Sequence, residues 1–544
     1  MPLPRVSTLS AAALLLAGCP TEEVITPPDA PPTYCEQLGL SERAFQTEGA
    51  FGATRWMLAE DFTVELQDRT EWTLSEEWTG CDTYLFVPDT FVMSPLNSTP
   101  LWENDGVAGI IERSPRNAHY FFFSAESSNS AAGPKLEAMA ERIEDDLAEL
   151  DDEDADWWRA HLHVVRGRVG SLETWWEDAH EAGWPGFTID RFQRIREIGG
   201  LADVERFSSQ LNNAGQWPWE RNLAYVANEA RYYEYEARRQ DRLDGEEGVD
   251  IVTAFSDEVL GLRAKRWVQF PSAARMAEYD TLEIDLQMWC PDQVAQEAGN
   301  CGAWDYLSHI YMRHQDQKNA WFEVARFVTT YHRAGRYVVD ATPLLSQMKQ
   351  GGMFEVRYEI SPPWNPQAYL TEMDFRFSNR GVGHAPSEAT TFLWGNKGFN
   401  SAYNEGREPK QIAIPAGAKK VEIWAVISGH GGATNNCAEF CNHQHEWTIG
   451  GQTYFHEHDT IGNDTACVDA IDNGVVPNQS GTWWFGRGGW CPGQQVEPVV
   501  FDVTDVVTPG ETAEISYRGM FNGGEIPDDS GNIVMSSWLV ISEE

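Results

Sequence analysis

Basic side chains are scarce in this chain: 40 Lys and Arg stand against 84 Asp and Glu in 544 residues, a formal net charge of -44. That shortage excludes a nucleic-acid binder, because a phosphate backbone needs a basic footprint. It argues against anionic lipid headgroups for the same reason. Long apolar runs are missing too. Ala11 to Leu16 falls far short of the roughly 20 residues that span a bilayer, and no later segment is longer and as apolar. No two cysteines are spaced CxxC, which removes the commonest redox and zinc signatures. Helical apolar spacing nearly vanishes after about Ile251.

What is present bounds the class. At 42% hydrophobic the chain is globular, and a prior of roughly 150 residues per domain predicts three or four domains. The 23 Trp and 17 Tyr suit stacking on the apolar faces of sugars, although antiparallel sheets use aromatics as well. Arg5, the Ala11–Leu16 run and then Leu16-Ala17-Gly18-Cys19 read as a signal peptide. Small residues before a cysteine resemble a bacterial lipobox, so residues 1–19 are expected to be a leader ending at an acylated Cys19. Pro20 in place of Asp favours the outer membrane, and residues 20–34 form a Pro-rich acidic tether. The expected location is the bacterial cell envelope, as an outer-membrane lipoprotein or a secreted protein touching the membrane through its lipid only. Nine cysteines less Cys19 leave eight, an even number suited to an oxidising compartment.

Residues 35–250 mix strand and helix patterns. Phe62–Leu66, Thr83–Val87 and His119–Phe123 read as strands, and Lys135–Leu150, Trp157–Val165 and Leu223–Arg238 as amphipathic helices. The order resembles the opening of a thioredoxin-like domain, so an α/β accessory domain is expected. Only Pro88-Asp89-Thr90 follows the Leu85 strand, so no redox chemistry is expected, and Cys35 with Cys81 reads as a structural disulfide. From residue 251 short alternating runs recur, such as Leu282–Leu286, Phe354–Tyr358, Val421–Val426 and Ile533–Val540. These predict two β-sandwiches, 251–380 and 387–544, with a seam at Arg380 to Pro386. Spacing leaves cysteine connectivity open, with local pairing the simplest choice: Cys290 with Cys301, Cys437 with Cys441, Cys467 with Cys491.

Several stretches then converge on one family. Cys290-Pro291-Asp292, Cys301-Gly302-Ala303-Trp304-Asp305 and Trp321 to Thr329 occur in the first sandwich. Ile427-Ser428-Gly429-His430-Gly431, Cys437-Ala438-Glu439-Phe440-Cys441, Asn478-Gln479-Ser480 and Arg487-Gly488-Gly489-Trp490-Cys491-Pro492-Gly493 occur in the second. Together, over roughly 252–544, they resemble the peptide-N-glycosidase F family, including its three disulfides. The resemblance implies two adjacent jelly-roll sandwiches with a cleft between them, and no cofactor. The implied activity is hydrolysis of the amide joining an asparagine side chain to the first N-acetylglucosamine, on N-glycoproteins and N-glycopeptides. Carried over residue by residue, it implies Asp305 as the essential acid, Glu439 as the second and Glu359 as the third. Trp304, Tyr306, Arg487 and Trp490 are implied substrate-binding residues.

The chemistry fits these residue types. Hydrolysing an unactivated amide needs a base for water, stabilisation of an oxyanion and an acid for the departing nitrogen. Carboxylates crowded in a partly dry cleft repel one another, which divides their roles. Asp305 is expected to act through water, Glu439 to orient that water or bind the first sugar, Glu359 to assist binding and Arg487 to counter the charge. Tyr306 stands where the family has arginine, and Phe440 where it has tryptophan. Two rival readings remain. His443-Gln444-His445 and His456-Glu457-His458 put pairs of imidazoles on one strand face, suiting copper or zinc, as in two-domain copper monooxygenases. A non-catalytic glycan-binding lipoprotein is the other.

Overall fold

The computed structural model describes residues 32–89, 101–104, 106–182, 186–203, 221–381, 389–432, 437–458, 460–528 and 531–543. Cys19, the 1–19 leader, nearly all of the tether and most of the 380–386 seam lie outside them.

The N-terminal half is built on a mixed five-stranded sheet. Its strands lie in the order Leu162–Arg168, Ala118–Ser124, Thr83–Pro88, Phe187–Ile189, Ile195–Glu197. The first three are mutually parallel and the last two antiparallel. Thr83–Pro88 and Ala118–Ser124 are buried at every position, so they read as continuous apolar runs rather than alternating ones. Phe86 stacks between Phe121 and Phe187 at 5.0 and 4.4 Å. Helix Asn129–Leu147 starts where the Ser128 side chain accepts from the Ala131 N–H, and it buries Leu136, Met139, Ile143 and Leu147 along one stripe.

Two helix boundaries differ from expectation. The stretch 157–165 divides into a helix, Asp152–Arg159, and the edge strand Leu162–Arg168. Asp151 caps that helix, and acids at 152–154 suit its N-terminus. Beyond Arg159 the run Leu162-His163-Val164-Val165 is buried throughout, and two β-branched residues in sequence pack better in a sheet than on a helix face. The Leu223 stretch opens as a 3-10 turn, Leu223–Val226, and continues as helix Ala227–Asp244.

From Asp250 all sheets are antiparallel. One four-stranded sheet (Gly335–Asp340, Thr281–Trp289, Tyr369–Ser378, Asp250–Leu260) faces a sheet of Phe322–Val328, Leu307–His314, Gly351–Glu359 and Arg263–Ser272. Between them lies a core that includes Leu286, Ile310, Phe327, Phe354 and Phe375. Gln494–Gln495 adds a short edge strand to the second of these sheets from far along the chain. A second pair of four-stranded sheets follows, built on Lys420–Gly432 beside Gly531–Ser542 and on His443–Ile449 beside Thr512–Phe521. Its core includes Leu393, Ile423, Trp447, Ile515 and Leu539.

Buried arginines tie these units together. Arg326 of the first sandwich is held by Glu323 at 2.7 Å and donates to Ser428 Oγ at 3.1 Å and the Val534 carbonyl at 2.6 Å in the second. Arg333 donates to Glu229 on helix Ala227–Asp244 and to Glu297, each at 2.7 Å, and to the Pro477 carbonyl at 2.8 Å. The apolar core of the N-terminal half also includes Tyr331, Cys467, Val475, Val476, Trp483 and Trp484. Residues 35–250 therefore share a core with the sandwiches and cannot be removed without exposing it. Replacing Glu229 by Ala leaves a buried guanidinium short of its partner, which is expected to cost about 3–5 kcal/mol. Chemical denaturation checks this. A loss below about 1 kcal/mol would mean the ion pair does not hold the halves together.

Candidate active site

Asp305 is placed by a clamped backbone. The preceding residue, Trp304, donates its N–H to Gln367 Oε1 at 2.7 Å, and its carbonyl accepts from Gln367 Nε2 at 2.9 Å and Thr329 Oγ1 at 2.5 Å. Tyr306 N–H donates to the same threonine oxygen at 2.8 Å. The Cys290–Cys301 disulfide fixes the incoming loop, and strand Leu307–His314 takes the chain away. With both neighbours pinned, the Asp305 carboxyl is directed inward and is 7% exposed.

Glu439 comes from the other sandwich, on the single turn Cys437–Phe440. Cys441 is disulfide-bonded; the side chain of Cys437, its expected partner, is outside the described residues. The Gly488 N–H donates to the Glu439 carbonyl at 3.0 Å, and the Gly431 N–H to Oε2 at 3.4 Å. Between the two acids lies Arg487. Its Nε donates to Glu439 Oε1 at 3.0 Å, and its Nη2 is 3.6 Å from Asp305 Oδ2. The rest of its fork is taken up by the Phe485 carbonyl at 2.8 Å and Thr482 carbonyl and hydroxyl oxygens at 2.9 and 3.1 Å. Its plane lies 5.0 Å from the rings of both Phe440 and Trp490. This arginine is a fixed charge with no donor left for a ligand.

Burial raises the Asp305 pKa. Arg487 pulls against that, Glu439 adds to it, and His430 and Tyr331 lower it again. Burial wins, so the carboxyl holds its proton to higher pH than an exposed aspartate. Oδ2 is buried with no hydrogen-bond partner among the described residues, which leaves it available to a substrate or a water. The Nδ1 of half-buried His430 is 3.7 Å from Glu439 Oε2 and also lacks a hydrogen bond.

Beside the acids is a cleft of about 770 Å³ lined by Tyr306, His309, Glu359, Trp364, His430 and Gly431, among others. Glu359 sits at its side, opposite His309 in the strand register, and pairs with Arg263 at 2.8 Å and Arg357 at 3.3 Å. The Tyr306 hydroxyl accepts from Asn365 Nδ2 at 2.7 Å, and its ring meets Trp364 edge-on at 5.5 Å. Trp304 and Trp364 form an exposed aromatic rim, 53% and 76% accessible.

Of the residues expected to take part, Asp305, Glu439 and Arg487 come together, Trp304 and Tyr306 flank them, and Glu359 lines the adjoining cleft. Trp490 differs: it is 3% exposed, and its Nε1 donates to the Gly429 carbonyl at 2.7 Å. It packs against Arg487 and has no face open to a ligand. His430, Tyr331 and Trp364 were not expected to take part. Trp364 had a signal, an aromatic in the loop Ser361-Pro362-Pro363-Trp364-Asn365-Pro366, where a large side chain has no strand to pack on. His443, His445 and His458 cluster in the second sandwich behind Gly488 and Gly489. Cys35–Cys81 and Cys467–Cys491 are disulfides.

The raised pKa has a consequence for stability. Between the unfolded carboxyl value near about 3.9 and the higher native one, the native state binds more protons, so this group's contribution falls as pH rises. Asp305→Asn is therefore expected to stabilise the protein near neutrality, by on the order of 1 kcal/mol. That gain should vanish near pH ~3, where the carboxyl is protonated in both states. Thermal denaturation of the two proteins across pH measures it, and an equal or lower Tm for the variant at neutral pH would contradict the burial argument.

Comparison with known proteins places this arrangement. Residues 398–540 match the model of the peptide-N-glycosidase F C-terminal domain. A curated relative, peptide-N(4)-(N-acetyl-beta-D-glucosaminyl)asparagine amidase F from Elizabethkingia miricola, is 24% identical over 287 residues, 49% of this chain and 75% of that protein. Among solved structures, PNGase F, described as a glycosylasparaginase from Flavobacterium meningosepticum, is 20% identical with a TM-score of 0.43, over 54% of this chain and 96% of its own. A structure of PNGF-II is 12% identical with a TM-score of 0.41, over 60% and 68%. Residues 398–540 thus match the C-terminal domain of the peptide-N-glycosidase F family, and about half of this chain is similar to a distant curated relative of that family.

Proposed function

We propose that this protein is an amidase that removes N-glycans by hydrolysing the bond between an asparagine side chain and the first N-acetylglucosamine. Its substrates on this reading are N-glycoproteins and N-glycopeptides. The observation that carries it is one fully buried guanidinium, Arg487, shared by two acids from different sandwiches beside a cleft with an aromatic rim. A cleft of about 770 Å³ is the size of a ligand pocket, and exposed Trp304 and Trp364 suit the apolar faces of a sugar.

In this reading Asp305 accepts a proton from a water as its oxygen bonds to the amide carbon. The same proton then passes to the nitrogen as the carbon–nitrogen bond breaks, leaving aspartate and a glycosylamine. Glu439, fixed by Arg487 and Gly431, positions that water or the first sugar. Arg487 supplies preorganised positive charge without itself donating to substrate. His430 lines the cleft with its Nδ1 3.7 Å from Glu439 Oε2, next to the two acids. Glu359, bracketed by Arg263 and Arg357, binds rather than reacts.

Finer features of the reading rest on the same family. The two sandwiches are jelly rolls, and outside the family's span the N-terminal sheet, with three parallel strands followed by an antiparallel hairpin, supports a thioredoxin-like scaffold without redox chemistry. The leader and the disulfides support export, with Cys19 as a lipid anchor in the outer membrane.

Mass spectrometry of an N-glycopeptide in heavy-oxygen water is the test. Loss of the whole glycan with one labelled oxygen in a new aspartate is expected, and Asp305→Asn should abolish it. Glycopeptides that bind yet stay intact across several glycan types would favour the binding-only reading instead. Trp364→Ala is expected to raise KM about three- to tenfold with kcat little changed, the mark of lost uniform binding. An unchanged KM would remove Trp364 from the site.

A further inference from the structure

The second sandwich carries a cluster of histidines that the proposed reaction does not use. His443 and His445 are two apart on strand His443–Ile449, so both project to one face, and both are wholly buried. His445 lies opposite His456 in the register, and His458 follows just past the end of that partner strand. His458 is 9% exposed, with its ring 4.6 Å from those of both His443 and His456. One ring nitrogen from each of His443, His445 and His458 lies within 4.8 Å of the others.

The hydrogen bonding in this cluster is incomplete. The Nδ1 of His443 is 2.8 Å from Nε2 of His445, whose own Nδ1 is 2.7 Å from the Tyr517 hydroxyl, which meets Tyr403 at 2.9 Å. That chain ends there. Nε2 of His443 and Nε2 of His458 are buried with no hydrogen-bond partner among the described residues. Leaving such buried nitrogens without a partner is unfavourable. Each imidazole has a ring nitrogen that can offer a lone pair to a metal. Among the described residues no carboxylate belongs to the cluster.

We propose that His443, His445 and His458 bind one borderline divalent transition metal ion of the zinc class, with half-buried His456 as the route of entry or a fourth ligand. Three neutral imidazoles without a carboxylate select zinc, copper, cobalt or nickel over calcium and magnesium. An ion about 2.0–2.1 Å from each nitrogen sets nitrogen pairs about 3.3 Å apart in a tetrahedral site, so closing the cluster asks for small ring movements. The Tyr517 hydroxyl on Nδ1 of His445 is the outer-shell contact that fixes a ligating imidazole. Arg407, whose guanidinium is 5.1 Å from the Tyr517 ring, is the cation on that side, screened from the ligand atoms by the tyrosine.

The site lies directly behind the loop that carries Arg487. A Cβ on Gly488 would come within 2.1 Å of His443 Nε2, and one on Gly489 within 2.8 Å of the His458 ring. The loop thus rests on the histidines, and the metal would stiffen it. The role is structural and independent of the amidase reading.

The test uses the full chain produced with cobalt or zinc, followed by gel filtration and elemental analysis. About one ion per chain is expected, with the intense visible bands of tetrahedral rather than octahedral cobalt and a higher Tm for loaded than for chelator-treated protein. His445→Gln should lose the ion and the bands. Absence of a retained ion and of those bands in the unsubstituted protein, after zinc, cobalt and copper in turn, overturns the proposal whether or not the variant folds. An ion retained in folded His445→Gln with an unchanged cobalt spectrum overturns it equally, since the ion would then be bound elsewhere.

Discussion

A guanidinium taken out of water must be met by carboxylates and carbonyls, and this chain meets three of them at its junctions. Arg326 joins the two sandwiches, Arg333 joins the N-terminal half to both, and Arg487 joins Asp305 to Glu439. Each partner set comes from segments distant in sequence, so the charge is satisfied only when the units are assembled. With acids outnumbering bases two to one, carboxylates are abundant and buried arginines decide where they gather. At Arg333, removing Glu229 strands a charge, a far larger penalty than losing a surface pair. Arg487 differs, because it keeps Glu439 and the Phe485 and Thr482 carbonyls when Asp305 is neutralised.

What could be read from the sequence follows from how local each signal was. The acids Asp305 and Glu439 lie beside cysteines in short motifs, and the resemblance of those motifs to the peptide-N-glycosidase F family singled them out. Alternating runs after residue 251 announced antiparallel strands because one face of each is buried and the other is not. The 157–165 stretch misled because a buried edge strand following a short acidic helix keeps apolar residues at spacings a helix also permits. Trp490 was expected to meet substrate from the family resemblance of its motif. Exposure depends on packing, and Trp304, Trp364 and Trp490 range from open to buried with nothing in their own windows to say so. Arg326 and Arg333 looked like ordinary strand and loop charges, since their partners lie up to about two hundred residues away.

The departures from the family pattern are compensated in place. Phe440 presents its ring to the Arg487 guanidinium at 5.0 Å, matched by Trp490 at the same distance, so an aromatic smaller than tryptophan still holds the arginine. Tyr306 brings no charge beside Asp305. The cations nearest the cleft are instead Arg263 and Arg357, both turned onto Glu359. The pKa of Asp305 is then set first by burial, which raises it, and second by Arg487, which lowers it.

The N-terminal half belongs to this site more closely than its place in the sequence suggests. Tyr331 packs in the core that the half shares with Trp483 and Trp484, and it acts on Asp305 by lowering its pKa. Its N–H is held by Gln479, which is itself fixed by the Val476 and Pro492 carbonyls. The segment 475–492 thus touches the N-terminal core on one side and carries Arg487 on the other. The α/β unit packs against this segment through a shared apolar core. Burial is the first cause of the raised Asp305 pKa, so residues 35–250, packed behind the segment that carries Arg487, belong to the surroundings of that carboxyl.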